Sequence, residues 1–209
     1  MKLYDCKPAP NPRRVRMFLA EKGIDVPTEQ VDLRNGQQFT PEFRAVNPQC
    51  VVPFLVLDDG TGIGESEAIC RYFEEVHPEP ALFGKDAKDK ATVTMWQRRM
   101  SFDGFDAVGE TFRNTTPAFK TRALSGPNFY DQIPELAERG MKRVKNFYRM
   151  LDDRLGASRF IAGDRFSIAD ITAFVAVDFS GWLKLAIPDE LSNAKRWYGE
   201  VAARPSAKA

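Results

Sequence analysis

A chain of 209 residues suits one large domain or two small ones. Hydrophobic side chains make up 43% of it and charged ones 28%, the balance of an ordinary globular protein with a sizeable core. Lys and Arg number 30 against 29 Asp and Glu, and a net charge of +1 lacks the basic excess that a dedicated nucleic-acid binder carries.

Lys2 to Asp5 is the first expected strand. Pro8, Pro10 and Pro12 interrupt the chain after it. Asn11 followed by Pro12 reads as a helix start, because Asn is a good N-cap and Pro is pre-shaped for the first helical position. Val15, Phe18 and Leu19 recur at helical spacing, and Gly23 ends the run. Glu29 to Leu33 alternates as a strand does. Thr40-Pro41 opens a short helix holding Phe43 and Val46, which Asn47-Pro48 breaks. Phe54 to Leu57 predicts a buried strand, Asp59-Gly60 a hairpin turn, and Gly62 to Gly64 the returning strand. Ser66 reads as another N-cap, ahead of the apolar stripe Ala68, Ile69, Tyr72, Phe73 and Val76. The order β-α-β-α-β-β-α joins a parallel crossover to a closing hairpin and predicts a small mixed sheet with helices.

After His77 the pattern changes. Residues 78–88 form a Pro- and charge-rich connector, and no strand signal follows it. Asp89 to Phe112 reads as one long helix, with Met95, Trp96, Met100, Phe105 and Val108 among its apolar positions. Residues 114–131 are a polar crossover marked by Pro and Gly. Pro134 opens a second long helix with Val144, Phe147, Tyr148 and Leu151 inward, ending at Gly156. Ser167 opens a third and Asn193 to Arg204 is the last. Ser167 and Asp170 form a reciprocal capping pair whose loss costs about 1 kcal/mol. The expected organisation is 1–77 as an α/β domain, 78–88 as a linker and 89–209 as an all-helical domain.

No apolar run approaches the ~18 residues of a membrane span. The first residues lack the apolar stretch of a signal peptide, so a cytoplasmic protein without a membrane partner is expected. Cys6, Cys50 and Cys70 contain no Cys-x-x-Cys pair, and His77 is the only histidine, which leaves little for a metal site or a histidine-based nucleophile. No metal is expected.

Val52-Pro53 before a strand, Glu65-Ser66 before a helix, and the run Phe160 to Asp170 in an all-helical second half occur together here. The combination resembles the cytosolic glutathione transferase family over essentially the whole chain. The resemblance implies a thioredoxin-like N-terminal domain with a mixed four-stranded sheet, an all-α helical bundle after it, and a homodimer. It further implies glutathione as co-substrate and a role in detoxification. Pro10-Asn11 and the stretch Asn35 to Phe43 are similar to the bacterial nu-class branch, which is associated with disulfide reduction as well as conjugation. That branch usually has Thr where this chain has Ala9 and Gly where it has Pro12. Other bacterial branches carry Ser or Cys at the first of these positions, and Ala9 offers neither hydroxyl nor thiol.

A free thiol has a pKa of ~8.5, so only about 3% of glutathione is thiolate at pH 7, and lowering the pKa by two units needs about 2.7 kcal/mol. The start of the first helix supplies part of this through its free N–H groups and dipole. Asn11 stands there, either as a plain helix cap or as an amide donor to the sulfur; the resemblance assigns it the catalytic place. In the same frame Val52, ahead of a cis Pro53, pairs through its backbone with the cysteinyl part of glutathione. Glu65 meets the α-ammonium of the γ-glutamyl end and Ser66 its carboxylate, and Gln38 meets the glycyl end, with Gln37 or Arg34 as substitutes. Phe105, Phe112 and Arg113 are expected to line the second-substrate site, where a small electrophile or disulfide would bind. Tyr4 reads as a structural strand aromatic. The expected function is a glutathione transferase acting on an electrophile or a disulfide; the alternative is a glutathione-binding or ligand-carrying protein without efficient catalysis.

Overall fold

The computed structural model describes residues 1–209. Strand β1 (Lys2–Asp5) is followed by helix α1 (Pro10–Lys22), β2 (Thr28–Gln30) and the short α2 (Pro41–Val46). The hairpin of β3 (Phe54–Val56) and β4 (Gly62–Ile63) then leads into α3 (Ser66–Val76). The sheet order is β2-β1-β3-β4, with β1 parallel to β2 and the other pairs antiparallel. The mixed four-stranded sheet is therefore as expected. Strand β2 begins at Thr28 and ends at Gln30, short of Leu33, because Asp32 accepts the N–H groups of Arg34 and Asn35 and turns the chain there.

The second part is helical throughout. Helix α4 (Ala87–Arg99) runs into a π-helical turn (Met100–Phe105) and on into α5 (Asp106–Thr115). The long helix expected from Asp89 is thus a rod with one wide turn, and it starts earlier because the Asp86 side chain accepts the Asp89 N–H and caps it. Gly104 lies in the wide turn, where a Cβ would stand 2.5 Å from the Phe147 ring. Helices α6 (Pro134–Gly156), α7 (Ile168–Ser180) and α8 (Ser192–Ala202) complete the bundle. At the start of α7 the Asp170 carboxylate accepts the Ser167 N–H and hydroxyl, each at 3.0 Å, together with Ile161 N–H and Trp197 Nε1. Helix α7 is apolar on nearly every face because it is buried at the centre of the bundle.

One hydrophobic core runs through both parts, from Leu3 and Leu55 on the sheet through Met17 and Phe18 of α1 to Phe147, Phe174 and Trp197. Helix α1 lies between α3 and α7 and belongs to both layers. Arg13 ties it to α7 through Asp178 at 2.5 Å. At its other end the buried Lys22 Nζ meets Glu74 at 2.7 Å and the carbonyls of His77 and Pro80. Glu74 in turn accepts the N–H groups of Leu82 and Phe83, so this pair clasps the connector between the two parts.

Candidate functional site

The mouth of α1 differs from its expected form in a way that changes the chemistry. The helix begins at Pro10, with Ala9 as N-cap and no side-chain cap. Asn11 is its second residue, not its cap. Both prolines sit in the first turn, where a missing N–H costs nothing, and either is pre-shaped to begin a helix. Pro10 and Pro12 have no N–H to offer, and the Arg13 N–H bonds Ala9 O at 3.3 Å. Asn11 alone is left with a free backbone N–H in the first turn. The expected row of open N–H groups is therefore absent.

The Asn11 side chain is instead held by its oxygen. Oδ1 accepts from Ser66 Oγ at 2.5 Å, from Arg14 Nε at 3.2 Å and from Arg14 Nη2. With three donors on the oxygen, the amide cannot flip, and Nδ2 is left with no acceptor in the chain. Asn11 is thus not the helix cap, and its NH2 is left without a partner in the chain.

Ser66 is the first residue of α3, and Glu65 is the N-cap, with φ of 62° in the left-handed region that non-glycine residues rarely take. The Ser66 hydroxyl does not cap its own helix. It donates to Asn11 Oδ1 and, at 3.2 Å, to Asn11 O, which joins the starts of α1 and α3. Its backbone N–H, at the first position of the helix, has no intrahelical partner. The Glu65 carboxylate makes no ion pair with any cation of the chain. Ahead of β3, the Val52-Pro53 bond is cis, and neither the N–H nor the C=O of Val52 is hydrogen-bonded within the chain. Gln38, in a short 3-10 turn, is only 2% exposed, and its Oε1 has no partner. Cys6 lies at the end of β1, where burial pushes its thiol up and away from reactivity. Tyr4 packs edge-on against Phe43 with ring centroids 5.9 Å apart, a strand aromatic as expected.

An aromatic group stands in the helical part. Phe105 packs on Phe179, and Phe112 meets Phe119, Phe179 and Trp182 with centroids 5.3 to 5.4 Å apart. Trp182 is 53% exposed and forms the open side of this wall. Arg113, on the same helix as Phe112, is tied to the crossover that follows it. Its guanidinium donates to the carbonyls of Arg122, Ala123 and Leu124 at 2.7 to 3.2 Å and lies on the Phe119 ring. Burial lowers its pKa to about 10. Through Nε and Nη2, Arg113 thus staples the 116–133 segment. Gln132 and Asn114 add further ties, to Arg113 O and Thr116 O and to Ile133 N–H.

Two cations were hidden in the sequence. Arg14, half of the basic pair Arg13-Arg14 that by residue type suits a solvated face or salt bridges, is buried. Arg122, in the crossover, lies on the Phe39 ring at 4.5 Å, next to Gln38. Neither has a local signal, since the helix face of Arg14 is set by the register of α1 and the position of Arg122 by the fold of a long loop.

The family profile for the glutathione S-transferase N-terminal domain matches residues 9–76, and that for the C-terminal domain matches residues 114–205. A glutathione S-transferase 2 of Saccharomyces cerevisiae is 35% identical over 213 aligned residues, covering 100% of this chain and 88% of the yeast protein. The crystal structure of a glutathione S-transferase domain-containing protein from Marinobacter aquaeolei superposes with a TM-score of 0.90 at 37% identity, covering 99% of both chains. The disulfide-bond oxidoreductase YfcG of Escherichia coli is 28% identical, over 95% of this chain and 89% of its own length. A mixed four-stranded sheet joined to a helical bundle, matched by both family profiles, is the thioredoxin-like plus helical architecture of the glutathione S-transferases. The chain belongs to the glutathione S-transferase family and is a glutathione transferase. No helix is long and apolar enough to cross a membrane.

Proposed function

We propose that this transferase binds glutathione across the mouth of α1 and holds its sulfur as thiolate against Asn11 Nδ2. The single observation that carries the reading is the orientation of that amide, whose oxygen is occupied by Ser66 and Arg14 and whose nitrogen is free. The remaining contacts follow from open groups. The unpaired N–H and C=O of Val52 suit the cysteinyl backbone, as a strand added to an edge. The Ser66 N–H suits the γ-glutamyl carboxylate at a helix start, and the free Glu65 carboxylate suits its ammonium. Gln38 offers its Nε2 to the glycyl end, with the Arg122 guanidinium nearby. Residues 1–77 carry this site, 78–88 connect, and 89–209 line the second-substrate cleft with Phe105, Phe112 and Trp182.

The second substrate is a small electrophile or a disulfide. The three cysteines are all buried, so in disulfide reduction glutathione itself supplies the electrons. The name of the Escherichia coli relative favours testing that branch beside conjugation. We read the working form as a homodimer in the cytoplasm; the exposed Val76, Met95 and Phe102 on α3 and the α4 rod support the dimer. Titration of the protein with glutathione near neutral pH, followed by thiolate absorbance in the ultraviolet, tests the central claim. A saturable signal weakened in Asn11→Ala is expected; binding without a thiolate signal would refute it. Turnover of an aryl halide against a small organic disulfide then decides the branch.

A further inference from the structure

Three arginines within about one turn of α1 end differently. Arg13 pairs with Asp178 at 2.5 Å and Arg16 with Asp5 at 2.7 Å. Arg14 is only 9% exposed and belongs to no ion pair. Its acceptor in the chain is Asn11 Oδ1, reached from Nε and Nη2. The Phe105 ring covers the face of the guanidinium at 4.3 Å. The groups that face it from the packed elements are Glu65 and Glu67 at the start of α3, Cys70 farther along α3, and Asp106 at the start of α5. Its burial lowers its pKa, and burial raises that of Asp106.

A buried cation with carboxylates around it but none at ion-pair distance is a cost to folding. Such groups collect where an anion is to be bound or formed. The mouth of α1 has a need for positive charge that nothing else meets. Ala9 has no hydroxyl, Pro10 and Pro12 have no N–H, and Asn11 is neutral. We propose that Arg14 is the positioning residue of the thiol site, fixing the Asn11 amide through its oxygen and supplying the positive potential that keeps glutathione sulfur ionised. The inference rests on the glutathione reading of the site. In the step itself the S–H proton leaves to water, and the sulfur keeps the electron pair against Asn11 Nδ2.

A sulfur hydrogen-bonded to Nδ2 lies roughly 7 Å from the guanidinium carbon, given ordinary amide and hydrogen-bond lengths. At that range a unit charge in a partly screened site lowers a thiol pKa by about one to two pH units.

The experiment uses the whole protein, glutathione and S-methylglutathione, and the variants Arg14→Met and Arg14→Lys. In Arg14→Met the pKa of bound glutathione should rise by at least about one pH unit. The kcat at pH 6.5 should fall about tenfold and recover at alkaline pH. Affinity for S-methylglutathione, which has no thiol to ionise, should stay within about threefold, and the melting temperature should hold or rise because an unpaired buried charge is gone. Arg14→Lys, which keeps the charge and loses the fork, should recover much of the thiolate. A bound-thiol pKa unchanged in Arg14→Met would overturn the inference, as would loss of S-methylglutathione affinity with that pKa unmoved, which would assign Arg14 to a carboxylate of the peptide. Unfolding of Arg14→Met, with a native thiol pKa in Arg14→Lys despite the lost fork, would overturn the positioning half and leave the charge. Binding by the native protein with no thiolate at all would overturn the underlying reading and this inference with it.

Discussion

Replacing Glu74 by Gln changes one atom and should cost about 3 kcal/mol. Lys22 Nζ has three acceptors: Glu74 at 2.7 Å, His77 O at 2.7 Å and Pro80 O at 2.8 Å. Both side chains are almost wholly enclosed. Removing the anion from a buried pair strands the cation, and the usual penalty is about 3 to 5 kcal/mol. Two carbonyls remain on the ammonium here, which places the loss at the lower end of that range. The Gln amide must also present its NH2 either to Nζ or to the N–H groups of Leu82 and Phe83, and both are donors. A loss of about 3 kcal/mol is a large share of the ~5 to 15 kcal/mol of a typical domain. Urea unfolding of Glu74→Gln, Lys22→Met and the double variant measures it, with the double variant less damaged than the sum by about 2 kcal/mol. A Glu74→Gln loss under about 1 kcal/mol, or strict additivity, would show that the clasp does not carry this energy.

Other outcomes follow from single positions. In Gly140→Ala the new Cβ would stand 2.3 Å from Thr111 Oγ1 and 3.0 Å from Ala107 O, so α5 and α6 must part; a loss of about 1 to 3 kcal/mol in urea unfolding is expected. Arg113→Met frees three carbonyls of the 116–133 segment, and limited proteolysis there should speed at least about tenfold, reading out roughly 1.4 kcal/mol of local opening. Asn11→Asp sets a like charge beside the sulfur, so the bound thiol should ionise about one pH unit higher, visible as an alkaline shift of the activity profile. Burial raises the Cys70 thiol far above its ordinary value. A thiol reagent at pH 8 should therefore label it only after denaturant is added, and fast labelling of the folded protein would contradict its packing.

Most of the fold was legible because it rests on local chemistry. Gly23 stops α1 in the left-handed conformation, Thr40 caps α2, and Ser167 with Asp170 opens α7, all at the positions the residue types indicate. What escaped depends on partners far along the chain. Pro10 and Pro12 are equally good helix openers, and only the packed structure decides between them. Ser66 has the chemistry of a cap, yet its hydroxyl crosses 55 residues to Asn11. The wide turn at Met100–Phe105 has no signature beyond Gly104, whose missing side chain is required by Phe147 of another helix. Arg13 and Arg14 are neighbours of one type, and their opposite fates depend on Asp178 and Phe105.

The stapled 116–133 segment has a consequence for how such a protein can change. Its ties come from Arg113, Asn114 and Gln132, all close to the helix ends that the segment joins, and they fall on backbone groups, which every amino acid supplies. Between them Leu124, Phe129 and Tyr130 stand exposed. Substitutions at this tip can be sampled freely without loosening the rod behind it. The segment is thus fastened through its backbone, so its fold does not depend on which side chains Leu124 and Tyr130 carry to the surface.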